Sequence, residues 1–273
     1  MIIDWMRSKD WESIIGRVKK GQFDGFLVPL YRAYFRWKGH EGIDVVDEDW
    51  DYLIILDACR YDVFEETNWI EGDLSKKVSK ASATDEWLRK NFVDYYDDLV
   101  YVSGNAFVSP LKEKGNFDSS NHFHHTEMVY MEDRSLENGV VKPEYLAEKG
   151  KELAKKYPDK RIIFHFVQPH DPFIAEPSLV IGDGEIEDVL DYFDHKLSKE
   201  AYVANLRRAL ESVETLLKSL EGKAVISADH GDSFGEKGIH RHPNGVYIKE
   251  LVEVPWHVVQ NDDKEKDFTG IDY

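Results

Sequence analysis

Metal-capable side chains follow two apolar runs of this sequence, at the points where buried strands would end. In "AVISADHGDSFGEKGIHRHP" the run that begins at Ala224 leads into Asp229 and His230, and in "YLIILDACRYD" a second run leads into Asp57. A carboxylate oxygen and an imidazole nitrogen together suit zinc, manganese or a similar divalent ion. Gly231 after the pair lets the backbone approach a ligand closely. A lone Asp-His pair is usually structural, but the repetition at Asp57 predicts a metal site.

Four short apolar runs predict the strands that position these residues. They begin at Tyr52, Leu99, Ile162 and Ala224. Helical patterns lie between them, over Ser82 or Thr84 to Phe92, Pro143 to Tyr157 and Ser198 to Lys223. The alternation predicts an α/β fold with a mainly parallel central sheet, flanked by helices on both faces. Ligand sites of such sheets lie outside the carboxyl ends of the strands. We therefore expect Asp57, His170 with Asp171, and Asp229 with His230 to face one crevice.

Composition narrows the classes of partner. The chain has 273 residues, 42% of them hydrophobic and 13% aromatic, which is enough for a substantial core. Its 35 basic and 53 acidic residues give a net charge of −18, which repels phosphate backbones and excludes nucleic acid as the expected partner. The single cysteine, Cys59, rules out an intramolecular disulfide and a cysteine-based zinc cluster.

A helical pattern runs from the N-terminus to about Gly42, and we predict a helical extension over 1–45 and a catalytic domain over 46–273. Charged residues interrupt the first 15 positions, and no apolar run approaches the roughly 18 residues of a membrane span. A cytoplasmic location is therefore expected. The segment "FLVPLYRAYFRWKG" (26–39) combines aromatic and basic residues. Packing on the domain's own core is favoured for it, with peripheral contact to a membrane as the alternative.

The motifs "YLIILDACRYD", "QPHDPF" and "SADHGDSFGEKG" followed by "HRHP" resemble the sulfatase-like branch of the alkaline phosphatase superfamily, from about Trp50 to Trp256. The resemblance implies a metal-dependent enzyme that attacks phosphate or sulfate esters with a metal-bound side chain. It also implies an anionic ester substrate, such as a glycan or a lipid head group. By position, Asp57, Asp229 and His230 match the metal ligands of the family. We expect one divalent ion (zinc, manganese or calcium), and a second ion stays open.

The family's nucleophile lies at the start of a helix some tens of residues after the first ligand. Thr84, in "SKASATDEWLRKNF", is the best match, 27 positions beyond Asp57. A divalent cation can lower the pKa of a hydroxyl, and a helix N-terminus suits an anionic group. Two alternatives stay open: Thr84 as a simple N-cap of the helix, and Ser82 as the nucleophile.

Further residues match positions on the substrate side. His170 matches a residue that contacts the anionic group or the leaving oxygen, and an imidazole can serve there as a general acid. Its alternative is a loop histidine held by the adjacent prolines. His242 matches a histidine near the substrate, which binds the second ion in two-metal members. Arg241 can face the substrate anion, and His240 is left between loop and site. The histidines in "FDSSNHFHHTEM", His122, His124 and His125, are predicted to lie on a solvent-exposed loop, with ligation of a second ion as the alternative.

Sulfatases convert a cysteine or serine within C/S-x-P-x-R to formylglycine, and the residues after Cys59, "RYDV", lack that motif. Cys59 is therefore expected to be a partly buried thiol without a direct role. Phosphoryl chemistry through Thr84, on a monoester or a diester, is favoured over true sulfatase activity. A third hypothesis is a catalytically silent, metal-stabilised module that binds a membrane or a glycan-assembly partner.

Overall fold

The computed structural model describes residues 24–109, 117–175 and 195–261. The helices are α1 (Asp24–Lys38), α2 (Tyr61–Thr67), α3 (Thr84–Asn91), α4 (Pro143–Lys156), α5 (His195–Leu217) and α6 (Lys249–Val252). The strands are β1 (Tyr52–Leu56), β2 (Asp73–Val78), β3 (Tyr96–Ser103), β4 (Phe123–Met128), β5 (Leu136–Glu137), β6 (Val140–Val141), β7 (Arg161–Phe166), β8 (Gly222–Ser227) and β9 (Glu253–Asn261). Short 3₁₀ turns cover Ser119–Asn121, Val129–Met131, Asp133–Ser135 and Glu236–Gly238.

Seven strands form one sheet in the order β2-β9-β8-β1-β7-β3-β4, and β5 and β6 form a separate pair. Strand β1 pairs in parallel with β7 and β8, and the parallel ladder continues through β3 to β4. Strand β9 runs antiparallel to both β8 and β2. The five parallel strands end at the same edge of the sheet. The predicted α/β fold with a mainly parallel sheet is confirmed.

Both faces of the sheet are buried, which explains why its central strands carry consecutive apolar residues. Ile54 and Leu56 of β1 face a core that includes residues of α2, α4 and α5. Leu53 and Ile55 face the opposite core, to which α3 contributes Trp87 and Leu88. Helices therefore cover both faces, and the sheet is held rigidly between them.

The sequence prediction differs from the structure at the edges of the sheet. The "FHHTEM" segment, predicted as part of a polar loop, is the parallel edge strand β4. Its polar side chains are compatible with a strand because an edge strand exposes one side and much of one face. Strands β2 and β9 were not predicted, and α5 begins three residues before Ser198.

Helix α1 packs one face on the domain. Leu27, Val28, Tyr31 and Phe35 contact a small core formed by residues 239–252. The helical pattern over residues 5–18 lies outside the described residues, and the division at residue 45 stays a prediction. Among the described helices, none has the length and apolar character required to cross a membrane.

Candidate active site

Two neighbouring parallel strands bring the predicted metal ligands together. Asp57 directly follows β1, and Asp229 and His230 follow β8, its partner in the sheet. One ligand atom from each of the three side chains lies within 4.8 Å of the others, and all three residues are buried. The chain turns at Ala58 with a left-handed φ of 61°, and this turn directs the Ala58 N–H at Asp229 Oδ1, 3.1 Å away. The carboxyl edge of the sheet therefore builds the cluster.

The remaining polar atoms of the three side chains are held by the protein. Asp57 Oδ2 accepts a hydrogen bond from Asn105 Nδ2 at 2.6 Å. Asp229 Oδ1 accepts from the backbone N–H groups of Ala58 and His230. His230 Nδ1 lies 2.8 Å from the Gly231 carbonyl oxygen, and it must donate because a carbonyl only accepts. Outer contacts of this kind orient the ligand atoms of metal sites.

The atoms left facing the centre fit a cation. With its proton on Nδ1, His230 directs the lone pair of Nε2 toward Asp57 Oδ1 at 3.6 Å and Asp229 Oδ2 at 3.3 Å. Asp57 Oδ1 is buried and has no hydrogen-bond partner among the described residues. Three electron-rich atoms that face one another repel unless a positive charge lies between them. Mixed carboxylate and imidazole ligands are those of zinc and manganese sites.

Thr84 joins this cluster from the other side. It is the first residue of α3 and is 4% exposed. Its Oγ1 donates to Asp229 Oδ2 at 2.8 Å and lies 3.3 Å from His230 Nε2. Ala83 is the residue that precedes the helix, and no side chain caps it. The Thr84 hydroxyl therefore faces the ligand cluster and does not serve as an N-cap.

Ser82, the competing hydroxyl, is engaged elsewhere. Its Oγ donates to the Pro243 carbonyl oxygen at 3.1 Å and accepts from the Val246 N–H at 3.3 Å, and it also lies 3.4 Å from Glu86 Oε2. These bonds join the start of α3 to the loop that contains His242. The Ser82 hydroxyl thus stabilises the loop, whereas the Thr84 hydroxyl points into the cluster of candidate ligands.

Burial and charge set the proton affinities of the two carboxylates in opposite directions. Burial, followed by the adjacent charge of Asp229, raises the pKa of Asp57 to about 7. Burial also acts to raise the pKa of Asp229, but the charge of His230 and the hydrogen bonds from Thr84 and Ala58 lower it below the ordinary value. Without a cation, Asp57 is therefore the carboxylate of the cluster that takes up a proton first as the pH falls.

His170 and His242 lie beside the cluster. Their Nε2 atoms are 2.8 Å apart, and the His242 ring stacks on His230 with ring centroids 4.5 Å apart. Burial acts to lower the pKa of His170, but the carboxylates of Asp57 and Asp171 outweigh it and the pKa is raised. Burial, followed by the charges of His230 and His170, lowers the pKa of His242 well below its ordinary value. His170 is thus the proton donor of the pair and His242 the acceptor.

Arg241 and His240 lie on the same loop as His242. Arg241 is exposed, and its Nη2 is 3.1 Å from Asp171 Oδ2, next to His170. The backbone of His240 forms an isolated antiparallel β-bridge with Phe234. Arg241 therefore stands at the rim of the site, where its guanidinium also neutralises Asp171.

The other candidates lie away from the cluster. His124 pairs with Asp97 across strands β3 and β4, and His125 pairs with Glu127 within β4. His122, just before β4, contacts the Asp94 carbonyl oxygen. The predicted exposed loop is wrong in its secondary structure, since two of these histidines lie on a strand. Cys59 is fully buried, and burial raises the pKa of its thiol.

Sequence reasoning assigned no role to two residues that contact the ligands. Asn105 follows β3 and donates to Asp57. His165, within β7, has its Nε2 3.9 Å from Asp229 Oδ2, and burial lowers its pKa to about 4. The sequence nevertheless contains a feature that could have identified each of these two residues. Asn105 is a polar residue just after a buried strand, and His165 interrupts the apolar run "RIIFHF".

Solved structures with a similar fold were found at low sequence identity. The soluble domain of lipooligosaccharide phosphoethanolamine transferase A from Neisseria meningitidis is 13% identical with a TM-score of 0.55, over 76% of this chain and 75% of that chain. The C-terminal periplasmic domain of EcEptC from Escherichia coli, in complex with zinc, is 11% identical with a TM-score of 0.53, over 81% and 76%. A predicted sulfatase from Bacteroides thetaiotaomicron is 13% identical with a TM-score of 0.50, over 78% and 65%. No family model and no curated protein matches the sequence.

These matches correct one expectation. The E. coli domain is periplasmic, so the cytoplasmic location expected from the sequence is contradicted. That expectation rested on the lack of a long apolar run in the sequence, which does not identify a compartment. The motif resemblance is confirmed at the level of the fold. This chain shares the α/β fold of these transferase domains and of the sulfatase.

Proposed function

We propose that this protein is a metal-dependent phosphoryl-transfer enzyme in which Thr84 is the nucleophile. One observation carries the proposal: the buried Thr84 hydroxyl lies within 3.3 Å of both Asp229 and His230, inside the cluster of candidate ligands. A structural threonine at a helix start would instead bond to its own helix. The similar folds of a phosphoethanolamine transferase and of a zinc complex support the same chemistry.

Asp57, Asp229 and His230 would hold the cation. When bound, a divalent cation lowers the pKa of the Thr84 hydroxyl and neutralises the oxygens of an anionic ester. Thr84 Oγ1 gives up its proton to solvent and forms the new P–O bond, and the leaving oxygen departs with the electrons of the old one. His170 gives that oxygen a proton, because the carboxylates of Asp57 and Asp171 raise its pKa and favour the protonated imidazole. Attack on the phosphothreonine by water or by an acceptor hydroxyl then restores Thr84.

The environment of Cys59 favours phosphate over sulfate esters. Formylglycine has to reach the metal, whereas Cys59 is fully buried in the apolar core beneath the sheet edge. Its sequence also lacks C/S-x-P-x-R. A sulfatase mechanism would therefore have no aldehyde precursor at this position, while Thr84 requires no modification.

The test is a panel of aryl phosphate, phosphodiester and aryl sulfate substrates with zinc, manganese or calcium. We expect metal-dependent turnover of a phosphate ester, and a fall of about 10³-fold or more in kcat for Thr84→Ala. Ser82→Ala tests the competing hydroxyl, and because Ser82 also supports the loop of His242, we expect a loss of kcat that is much smaller than that of Thr84→Ala. Mass spectrometry of a quenched reaction should detect a phosphoryl group on the peptide that contains Thr84. Undiminished turnover by Thr84→Ala would sink the assignment, and a protein silent with every ester would favour the binding-module hypothesis.

We propose that α1 also contacts the surface of an anionic membrane. The helix has a second apolar stripe beside its packed face, formed by Phe26 (39% exposed), Leu30 (46%), Tyr34 (46%) and Trp37 (83%). Arg36 and Lys38 are exposed on the same helix. Basic residues outnumber acidic ones in α1 although the chain carries a net charge of −18, so this helix is complementary to anionic head groups.

Co-sedimentation with vesicles tests the contact. We expect binding to vesicles that contain phosphatidylglycerol, and weaker binding to pure phosphatidylcholine or at high salt. Trp37→Ser should weaken the binding, whereas Trp69→Ser, at a half-exposed tryptophan outside α1, should not. Equal binding by the two variants would refute the role of the stripe.

A further inference from the structure

A tyrosine and a histidine form a buried pair directly behind Asp229. Tyr101 on β3 and His165 on β7 are each 0% exposed, and the Tyr101 hydroxyl lies 2.7 Å from His165 Nδ1. The other ring nitrogen, Nε2, lies 3.9 Å from Asp229 Oδ2. That nitrogen has no hydrogen-bond partner among the residues that the structure describes. Buried polar atoms without partners are rare, so this one calls for an explanation.

The tyrosine decides which nitrogen of the neutral imidazole carries the proton. If Nδ1 accepts the hydroxyl proton of Tyr101, the His165 proton is on Nε2 and points toward the Asp229 carboxylate. In the other tautomer, Nδ1 donates to the hydroxyl oxygen, the hydroxyl hydrogen has no acceptor within the described residues, and the Nε2 lone pair faces Asp229. That arrangement leaves the buried hydroxyl hydrogen unpaired and sets the Nε2 lone pair against the negative charge of Asp229, which is a repulsion. The first tautomer is therefore the stable one.

In this tautomer the His165 Nε2–H is close to Asp229 Oδ2, the carboxylate oxygen that faces the proposed metal position. Asp229 Oδ1 is already held by two backbone N–H groups, so Oδ2 is the atom that faces Thr84 and His230. A dipole aimed at Oδ2 from behind favours the ionised carboxylate and limits its rotation. At 3.9 Å the interaction is electrostatic and leaves the lone pairs of Oδ2 available to a ligand.

We infer that Tyr101 and His165 form a positioning pair that presents the His165 Nε2–H to Asp229 and so raises the affinity of the site for a divalent cation. Neither residue contacts a substrate in this account. The inference rests on the proposed function only in that Asp229 is taken as a metal ligand.

The test measures zinc affinity without substrate, by competition with a chromogenic chelator, and records the visible spectrum of the cobalt-substituted protein. His165→Phe, which keeps a planar ring, should weaken zinc binding about 10- to 100-fold. His165→Gln, whose amide N–H can occupy the place of Nε2–H, should recover most of that loss. Tyr101→Phe should give a smaller loss, and adding it to His165→Phe should cost nothing further, because the two residues act as one unit.

His257→Phe is the matched control. His257 is 2% exposed and lies on β9, where it contacts the Ile70 carbonyl oxygen and none of the ligands. It should leave the zinc Kd unchanged, although it removes a buried imidazole from the same sheet. A purely structural role of His165 predicts the same behaviour for both variants: a lower Tm with an unchanged zinc Kd.

A zinc Kd of His165→Phe within twofold of the original would overturn the inference, as would a His165→Gln that binds as weakly as His165→Phe. If His165→Phe does not fold, an unchanged Kd in Tyr101→Phe overturns it instead. A protein that binds zinc as expected but turns over no ester contradicts the proposed function alone. One that binds no divalent cation contradicts both.

Discussion

Zinc binding should weaken about tenfold between pH 8 and pH 6, because Asp57 must lose a proton before it can ligate a cation. Burial and the neighbouring charge of Asp229 raise the pKa of Asp57 to about 7. With that value, about nine-tenths of the sites are deprotonated at pH 8 and about one-tenth at pH 6. The apparent Kd is inversely proportional to the deprotonated fraction, so the ratio is about ten, or about 1.4 kcal/mol.

In the cation-free protein, the contribution of Asp57 to the free energy of unfolding changes with pH in the opposite direction to zinc affinity. Its folded state binds the Asp57 proton more tightly than the unfolded chain does. This contribution to stability is complete below the unfolded pKa of 3.8 and is lost as the pH rises through about 7. A bound cation replaces the proton. The increase in Tm on addition of zinc should therefore be larger at pH 8 than at pH 6.

Competition with a chelator of known affinity at each pH measures the Kd, and differential scanning calorimetry measures the Tm. Asp57→Asn is the control, because its amide oxygen can still ligate but does not titrate in this range. It should bind zinc more weakly and with a smaller dependence on pH than the unaltered protein. A zinc Kd that is equal at pH 6 and pH 8, or an equal slope in Asp57→Asn, would refute the assignment of the proton to Asp57.

Three further predictions concern the residues around the cluster. Asn105→Leu should raise the zinc Kd about 10- to 100-fold, because it removes the hydrogen bond that holds Asp57 Oδ2, and chelator competition measures it. The raised pKa of His170 predicts that kcat/KM falls on the alkaline side, as the acid loses its proton. In pH–rate profiles of His170→Gln this limb should disappear, with kcat about 10²- to 10⁴-fold lower. Gly231→Ala should lower the Tm sharply, because an added Cβ would lie 2.2 Å from the Glu250 carbonyl oxygen, and an unchanged Tm would contradict the close approach.

The centre of the fold could be predicted because its signals are local. Strand β1 was expected to begin at Tyr52 and α4 at Pro143, and both do. Runs of apolar residues bounded by polar ones read as buried strands, and the parallel arrangement then places Asp57 and Asp229 at one edge. The proximity of Asp57 and Asp229 could be predicted without any known distance, because neighbouring parallel strands end at the same edge of the sheet.

The edges of the sheet could not be predicted in the same way. Strand β2 reads "DLSKKV" and β4 reads "FHHTEM", and each has exposed polar positions like those of a loop. Their assignment depends on backbone pairing with β9 and β3, which are distant in sequence. Asn105 and His165 were missed for a related reason: their importance comes from which carboxylate each one contacts across the sheet.

The two halves of the candidate site are joined by α3. The ligands Asp57, Asp229 and His230 come from strand ends, whereas His242 comes from a loop that needs support of its own. That support is supplied by residues beside Thr84. Ser82 bonds to the Pro243 carbonyl oxygen and the Val246 N–H, the Asn244 amide donates to Asp85 at 3.0 Å, and the Tyr247 hydroxyl donates to Glu86.

A shift of α3 would consequently displace Thr84, the proposed nucleophile, and His242, the proposed substrate-side histidine, together. Phosphoryl transfer requires the attacking oxygen and the groups that stabilise the leaving oxygen to keep a fixed separation on opposite sides of one phosphorus atom. Mounting Thr84 and the support of His242 on the same turn of helix maintains that separation. Helix α1 reaches the same loop, since Arg32 Nε donates to the Asn244 carbonyl oxygen at 2.7 Å. Contact of α1 with a membrane would thus act on the loop that positions His242.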